Sequence, residues 1–536
     1  MNTEHKAKAG KGQVALQLAM VAVSVGLLHG GTIVAQTTPA ELAPKIDELI
    51  NARVAEAEAR VAPNCSDEEF IRRVYIDVAG KIPPVSRVRQ FLADKSPDKR
   101  ATLVDELLES SRYVVNFTTM WRNALIPEAI SDLQLRQSVP GFEAWLRKAL
   151  DEDIPYDDFV RRIIDTPLDP NGTPAQYAEG SGPTPAGFYI AKQGKPESLA
   201  SATSKVFLGR RIGCAQCHDH PFDEWKQEQF WQFAAFFGGI GPPQPAMPAA
   251  KKAKPGTILI PDTETTVKAA FLGGGEPNLT TNAGARKALA AWVVDKNNPY
   301  FSQMAVNRLW GHFFGRGIVE PVDDFSPENP ASHPELLKLL SDSFAASDFD
   351  LKFMIRSITA TGTYQRTSTQ SHESQATPEL FARMAVKGLT EEQIFDTLAE
   401  ATGFFEAYRA DEPFVLQQDT PRSQFLELFR NDSDPRTEQQ TTILQALAMM
   451  NGEFLATHTH LERSQTLAAI VNAPFMSDTD RVETLFLATL SRKPTASERE
   501  KFVKYVKSGG ATNDSKAALT DVFWALLNSS EFLLNH

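Results

Sequence analysis

Cysteine is scarce in this chain: Cys65, Cys214 and Cys217 are all there is in 536 residues, which excludes a disulfide scaffold. Positive charge is in deficit as well, with 55 Lys and Arg against 67 Asp and Glu. The formal charge of -12 argues against nucleic acid as the main partner, because phosphate binding draws its affinity from clustered Lys and Arg. Beyond residue 35 no stretch is apolar enough to span a membrane. No repeat recurs, and neither a Gly-rich phosphate loop nor a G-x-S-x-G nucleophile turn is present. What is there, 42% hydrophobic and 23% charged residues, is the composition of a folded protein long enough for two or three packed units.

The first 35 residues differ from the rest. Lys6, Lys8 and Lys11 precede an apolar run from Val14 to Leu28, followed by small residues from Gly30 to Ala35. This is the three-part pattern of a secretory signal, and Ile33-Val34-Ala35 offers a cleavage site before Gln36. The run of about 15 residues falls short of the ~20 that a spanning helix needs. Export to the periplasm or cell surface is the expectation, with no transmembrane span once the signal is removed; an uncleaved anchor is the alternative. Loss of residues 1–35, which hold three lysines and one glutamate, moves the formal charge from -12 to -14.

The remaining chain reads as mainly α. Helical spacing predicts helices over Pro39–Val61, Glu69–Val78, Ser198–Leu208, Ala283–Val294 and Pro299–Phe314, with short helices across 139–165. Ser96-Pro97-Asp98 has the form of an N-cap followed by a first-turn proline, ahead of an apolar face of Leu103, Val104, Leu107 and Leu108. Ser332-His333-Pro334-Glu335 and Thr495 to Glu498 have capping-box spacing; Thr390, Thr441 and Ser497 also precede helical runs. Pro167 to Pro185 and Gly238 to Lys254 are Pro- and Gly-rich and break regular structure, while Thr257 to Val267 alternates like a small hairpin. The expected organisation is a signal at 1–35, a helical domain at 36–237, a linker with a short hairpin at 238–275, and a second helical domain at 276–536.

One segment carries specific chemistry. Cys214-Ala215-Gln216-Cys217-His218 places two thiols at the spacing that adds to the vinyl groups of haem, followed by a histidine able to ligate the iron. An export signal supplies the compartment in which such attachment occurs. Around it lies an aromatic stripe, Phe222, Trp225, Phe230, Trp231, Phe233, Phe236 and Phe237, which could line a haem face or simply fill a core. His220 is too near His218 to serve the opposite side of the same iron, and Met247 sits in the Pro-rich stretch; neither is a persuasive distal ligand. Two alternatives stay open: a zinc site of Cys214, Cys217, His218 and His220, or a Cys214–Cys217 disulfide staple. Cys65 has no local partner and is expected to be buried and inert. In the second half Asn307, Arg308, His312, Glu320, Asp323, Asp324, Asn329 and His333 could line a polar cleft, or pair off to fix a helix to a loop.

The segments FIRRVYIDVAGKIPP, SPDKRATLVDELLES, KVFLGRRIGCAQCHDHPFDEW and FAAFFGG resemble the planctomycete cytochrome c-like domain of type two. NPYFSQMAVNRLWGHFFGRGIVEPVDDFSPENPASHPELL, FDLKFMIRSITATGTYQRTS and ALLNSSEFLLNH resemble its usual partner, the planctomycete surface domain of type one. The resemblance implies haem c held by Cys214, Cys217 and His218, and gives Asp219, His220, Pro221, Phe222 and Asp223 no role. It assigns no established biochemical function. The reading is therefore an exported c-type-haem-like protein moving electrons to or from a redox or surface partner. The alternatives are a surface binding or structural protein stapled by the same segment, and an extracytoplasmic enzyme of complex carbohydrate use centred on Arg308, His312, Asp323, Asp324 and His333.

Overall fold

The computed structural model describes residues 37–128, 139–168, 182–240, 254–405, 420–429, 437 and 443–536. Residues 1–35, read above as a secretory signal, Met247, Thr441 and most of 167–185 and 238–254 lie outside them. Among the described residues the fold is mainly α. Two small antiparallel sheets accompany the helices: a hairpin of Thr257–Leu259 with Thr266–Lys268, and Lys387–Gly388 paired with Leu534–Asn535 near the C-terminus. No described helix is long and apolar enough to cross a membrane.

The helix boundaries follow from caps. Thr38 and Glu41 close a reciprocal capping box ahead of Pro39–Glu56, and Thr390 and Thr495 do the same for Glu391–Thr402 and Ala496–Lys507. The Pro196–Leu208 and Pro299–Phe314 helices stop at Gly209 and Gly315, both at positive φ. Three expected boundaries move. The first helix ends at Glu56, not Val61: Glu58 turns left-handed, and the Ala62 N–H is drawn 2.8 Å from the Ala382 carbonyl. Ser96 does not cap; its hydroxyl donates to Asp94 at 2.6 Å, and the helix begins at Lys99 behind Asp98. Ser332 does not cap either, because its hydroxyl donates 3.1 Å to the Ile318 carbonyl, leaving His333 at the cap of Pro334–Ala346 without a side-chain bond. The predicted apolar face of Leu103, Val104, Leu107 and Leu108 is buried.

Residues Thr37–His536 form one packed unit. Its larger apolar cluster takes Leu42, Phe117, Trp121, Phe207 and Phe236 together with Leu289, Trp310, Leu340 and Ile358, so core residues from either side of 238–275 pack on each other. Phe271 stacks between Phe236 and Trp292 at centroid distances of 5.0 and 5.1 Å. A second cluster joins Ile76 and Ile82 to Phe395, Leu485, Phe523 and Phe532. Each buried aromatic or aliphatic side chain contributes about 1.5–3 kcal/mol.

Between these clusters lies a buried polar knot. The Asp67–Val74 helix runs into a π-helical turn, Tyr75–Ala79, which places Asp77 inside the fold. Its carboxylate accepts from Lys387 Nζ at 2.6 Å, Asn535 Nδ2 at 2.7 Å and the Tyr364 hydroxyl at 2.9 Å. Arg72 donates to the carbonyls of Thr489 and Phe532, and Arg73 to those of Tyr364 and Arg366. Five donors on a planar fork let each guanidinium saturate carbonyls at chain ends and turns that no helix satisfies. The knot ties residues 72–77 to the middle and the end of the chain.

Candidate functional site

The cysteine segment is held at both ends. On the upstream side Gly209 turns the chain at φ +64°, where a Cβ would collide with the Phe325 ring. Arg210 then donates to the Phe325 carbonyl and lies over the Tyr300 ring at 4.4 Å. Arg211 reaches Asp323 at 2.5 Å, and Lys205 approaches the same carboxylate at 3.7 Å. Burial alone would raise the Asp323 carboxyl, but Arg211, Lys205 and Arg308 outweigh it and hold it below the ordinary carboxylate range. On the downstream side Gln227 donates to the carbonyls of Cys217 and Gln216 at 2.9 and 3.3 Å, and the Trp231 indole donates to Gln216 at 3.0 Å. Asp219 accepts the Gln227 backbone N–H at 3.0 Å and pairs with Lys226 at 3.1 Å; the N–H first and the ammonium second keep its carboxyl low.

Between these anchors Ile212–Gln216 forms a 3₁₀ turn. It buries Ile212 and Ala215 and turns Cys214 outward, with Cys217 and His218 beyond it also exposed. Both thiols are free. The two histidines differ. His218 Nδ1 lies 2.7 Å from the Asp219 carbonyl. A carbonyl only accepts, so Nδ1 carries a proton and, in the neutral ring, Nε2 keeps its lone pair, the arrangement a metal-binding imidazole needs. His220 has the opposite form: its Nδ1 accepts the Phe222 N–H at 3.2 Å, which puts the proton of the neutral ring on Nε2. It therefore offers no free lone pair to a metal. Among the described residues no three His, Cys, Asp or Glu side chains are grouped as a metal ion requires, so the four zinc candidates are not assembled.

The donor set thus fits a c-type haem: two exposed thiols at the attachment spacing and an exposed imidazole with Nε2 available. The aromatic stripe fits less. Trp225, Phe230, Trp231, Phe233, Phe236 and Phe237 are buried in the main core, and Phe222, 67% exposed, is the one member of the stripe left at the surface. A groove of about 1050 Å³, lined by Met450, His460, Phe502, Tyr505 and Trp524 among others, contains none of the cysteine-segment residues.

The second-half candidates do not converge on one cleft. Asn307 is a loop organiser: it donates to the Val319 and Val322 carbonyls and accepts from the N–H groups of Ile318 and Val319, all within 3.0 Å. Glu320 accepts the Gly317 N–H at 2.7 Å, and Asn329 donates to the Asp324 carbonyl at 3.1 Å. His312 Nε2 lies 2.8 Å from the Asp77 carbonyl. His333 is buried against Phe381, and burial drops its pKa to about 4. Asp323 and Asp324 turn instead toward Arg211, at 2.5 and 3.8 Å. Sequence reasoning missed that Lys205, Arg211, Asp323 and Phe325 meet, since Arg211 and Asp323 are 112 positions apart and no local pattern marks them. Asp219, given no role by resemblance, shapes the segment itself through Gln227 and Lys226.

Residues 45–241 match the PSCyt2 model, described as a protein of unknown function (DUF1549), and residues 285–506 match the PSD1 model, described as a protein of unknown function (DUF1553). No curated protein and no solved structure matches the chain.

Proposed function

The chain belongs to the families that place a PSCyt2 domain before a PSD1 domain, and from that starting point we propose that it is an exported electron carrier holding haem c through Cys214, Cys217 and His218. The observation that carries this reading is the His218 geometry, with Nδ1 turned to the Asp219 carbonyl and Nε2 free at the surface beside two free thiols. Cys214 and Cys217 would hold the haem by adding their S–H groups across its vinyl groups, sulfur to one carbon and hydrogen to the other, so no oxidant would be consumed. Bound haem supplies a one-electron centre. Gln227 and Trp231 fix the backbone that presents the thiols, and Asp219 fixes the imidazole through its carbonyl. Residues 1–35 deliver the chain to the compartment where attachment occurs. The electron partner is a redox or surface component outside the chain.

Potentiometric titration of the mature protein, produced with cytochrome c maturation factors, tests this. Wild type is expected to show visible bands that change reversibly with potential, and Cys214→Ala with Cys217→Ala is expected to show none. His218→Met is expected to keep the bands and shift the midpoint. A wild type without any redox-active band overturns the reading.

A second reading is a surface-architecture protein in which the segment is a structural corner. It draws on the commitment of six stripe aromatics to the core and on the hydrogen bonds that order the corner without a cofactor. Under that reading loss of Trp231 lowers stability and no redox signal exists.

A further inference from the structure

Lys387, Asp77 and Asn535 are all fully buried, and two of them are neighbours by sheet register. Lys387 stands directly opposite Asn535 where Lys387–Gly388 pairs with Leu534–Asn535, so the two side chains leave the same face at adjacent positions. The lysine stem runs past Gly315, where a Cβ would lie 2.8 Å from Lys387 Cγ, and Nζ reaches the end of the Pro299–Phe314 helix. There its three N–H bonds have three acceptors: the Phe313 carbonyl at 2.6 Å, the His312 carbonyl at 3.3 Å and Asp77 Oδ1 at 2.6 Å. Asn535 Nδ2 donates to that same Oδ1 at 2.7 Å. One carboxylate oxygen therefore touches both an amine and an amide. The other, Oδ2, is occupied by the Tyr364 hydroxyl at 2.9 Å, which burial first and Asp77 second keep protonated. The Asn535 carbonyl oxygen is buried with no donor among the described residues, so an attack on its carbon breaks no hydrogen bond there.

We propose that Lys387 and Asn535 join in an intramolecular isopeptide bond, with Asp77 as the proton carrier between them. Of the three protons on Nζ, the one facing Asp77 Oδ1 is transferred. The two that remain point at the Phe313 and His312 carbonyls, which leaves the lone pair on the side of Asp77 and the Asn535 amide. Transfer also removes a pair of charges from a site packed by Phe313, Phe314 and Tyr364, where charge is poorly solvated. Nζ attacks Cγ, and the new N–C bond forms as the Cγ–Nδ2 bond breaks. Asp77 passes its proton to Nδ2 and takes a second one from Nζ. Ammonia departs, that second proton leaves with it as ammonium, and the carboxylate is restored. No electrons are exchanged, so no oxidant is needed, and fixed placement of amine, carboxylate and amide makes the step unimolecular. The hydrogen-bonded arrangement described above is the one before reaction. The bond closes the chain between 387 and 535 around Phe395, Leu485, Phe523 and Phe532 of the second apolar cluster.

Protease digestion of the denatured, haem-free mature chain, followed by mass spectrometry of the peptides, tests the proposal. Wild type is expected to yield one branched peptide joining the Lys387 and Asn535 segments, lighter by one ammonia than the two together. The intact mass falls by the same amount, but Gln36 at a processed N-terminus also loses ammonia when it cyclises, so the branched peptide decides. Asp77→Asn keeps the amine and the amide but removes the proton carrier, and is expected to abolish the branched peptide; Asn535→Ala is expected to leave Lys387 unmodified. Far-UV circular dichroism shows whether these variants fold, and the wild-type digest decides even where they do not. Separate Lys387 and Asn535 peptides in wild type overturn the proposal. A link from Lys387 to Asp77, lighter by one water, overturns Asn535 as the acceptor. A branched peptide retained in folded Asp77→Asn overturns the part given to Asp77. The digest reads no haem signal, so this proposal and the haem reading fail independently.

Discussion

Replacing Lys387 by methionine should be among the most damaging single changes in the molecule. Lys387 and Asp77 are both fully buried, with Nζ 2.6 Å from Oδ1. Without the ammonium, Asp77 keeps two hydrogen bonds, from Asn535 and the Tyr364 hydroxyl, but loses its only ion-pair partner among the described residues. Burial first and the Asp77 carboxylate second push that hydroxyl well above its ordinary pKa, so it stays a neutral donor and supplies no countercharge. Breaking one side of a buried ion pair costs about 3–5 kcal/mol, and methionine fills most of the lysine's volume, so little of the loss comes from a cavity. Urea unfolding of the mature chain, followed by tryptophan fluorescence and far-UV circular dichroism, reads this loss as a lower midpoint. Asp77→Asn combined with Lys387→Met removes both charges and should recover a large part of it, with a coupling of about 2 kcal/mol or more. Asp77 lies in the PSCyt2-matched region and Tyr364 and Lys387 in the PSD1-matched region, so both probes should shift together. A single-variant loss below about 1 kcal/mol, or additive losses in the double variant, would refute the reasoning.

His333 should make stability pH-dependent in a defined window. Its pKa is about 4 when folded against about 6.5 in an unfolded chain, so the unfolded state takes up the proton first as pH falls. Stability from neutral His333 is complete above pH ~6.5 and is lost down to pH ~4, on the order of 2–3 kcal/mol, and His333→Gln should flatten that slope in pH-series unfolding. Gln227→Ala removes two donors from the cysteine segment and should cost about 1 kcal/mol while speeding alkylation of Cys214 and Cys217, measured by mass-resolved labelling of haem-free protein. In that same labelling both exposed thiols should react in the native state, and Cys65, buried beside Arg73 and Arg100, only after unfolding. Early labelling of Cys65 would place it elsewhere than the core.

The helical character and many ends were legible because they depend on neighbours in sequence. Thr390 and Thr495 cap where their spacing says, and Gly209 and Gly315 stop helices where positive φ is needed. Ser96 and Ser332 look alike in sequence and fail for one reason: each hydroxyl has a better acceptor, Asp94 two residues back or Ile318 across a loop. The cysteine segment was visible from spacing alone. Its supports were not, because Arg211 meets Asp323 and Asp77 meets Lys387 across 112 and 310 positions. The aromatic stripe was ambiguous in the sequence because burial in a core and contact with a ligand demand the same side chains. The second-half polar residues shared a stretch of chain but not a direction: Asn307 satisfies the 318–322 backbone, and His312 turns to Asp77.

The most direct test of covalent haem attachment is the intact mass of the mature protein after acid extraction of any loosely bound haem. The account predicts one haem mass retained per chain in wild type and none with Cys214→Ala and Cys217→Ala; a wild-type mass equal to the bare polypeptide would contradict it.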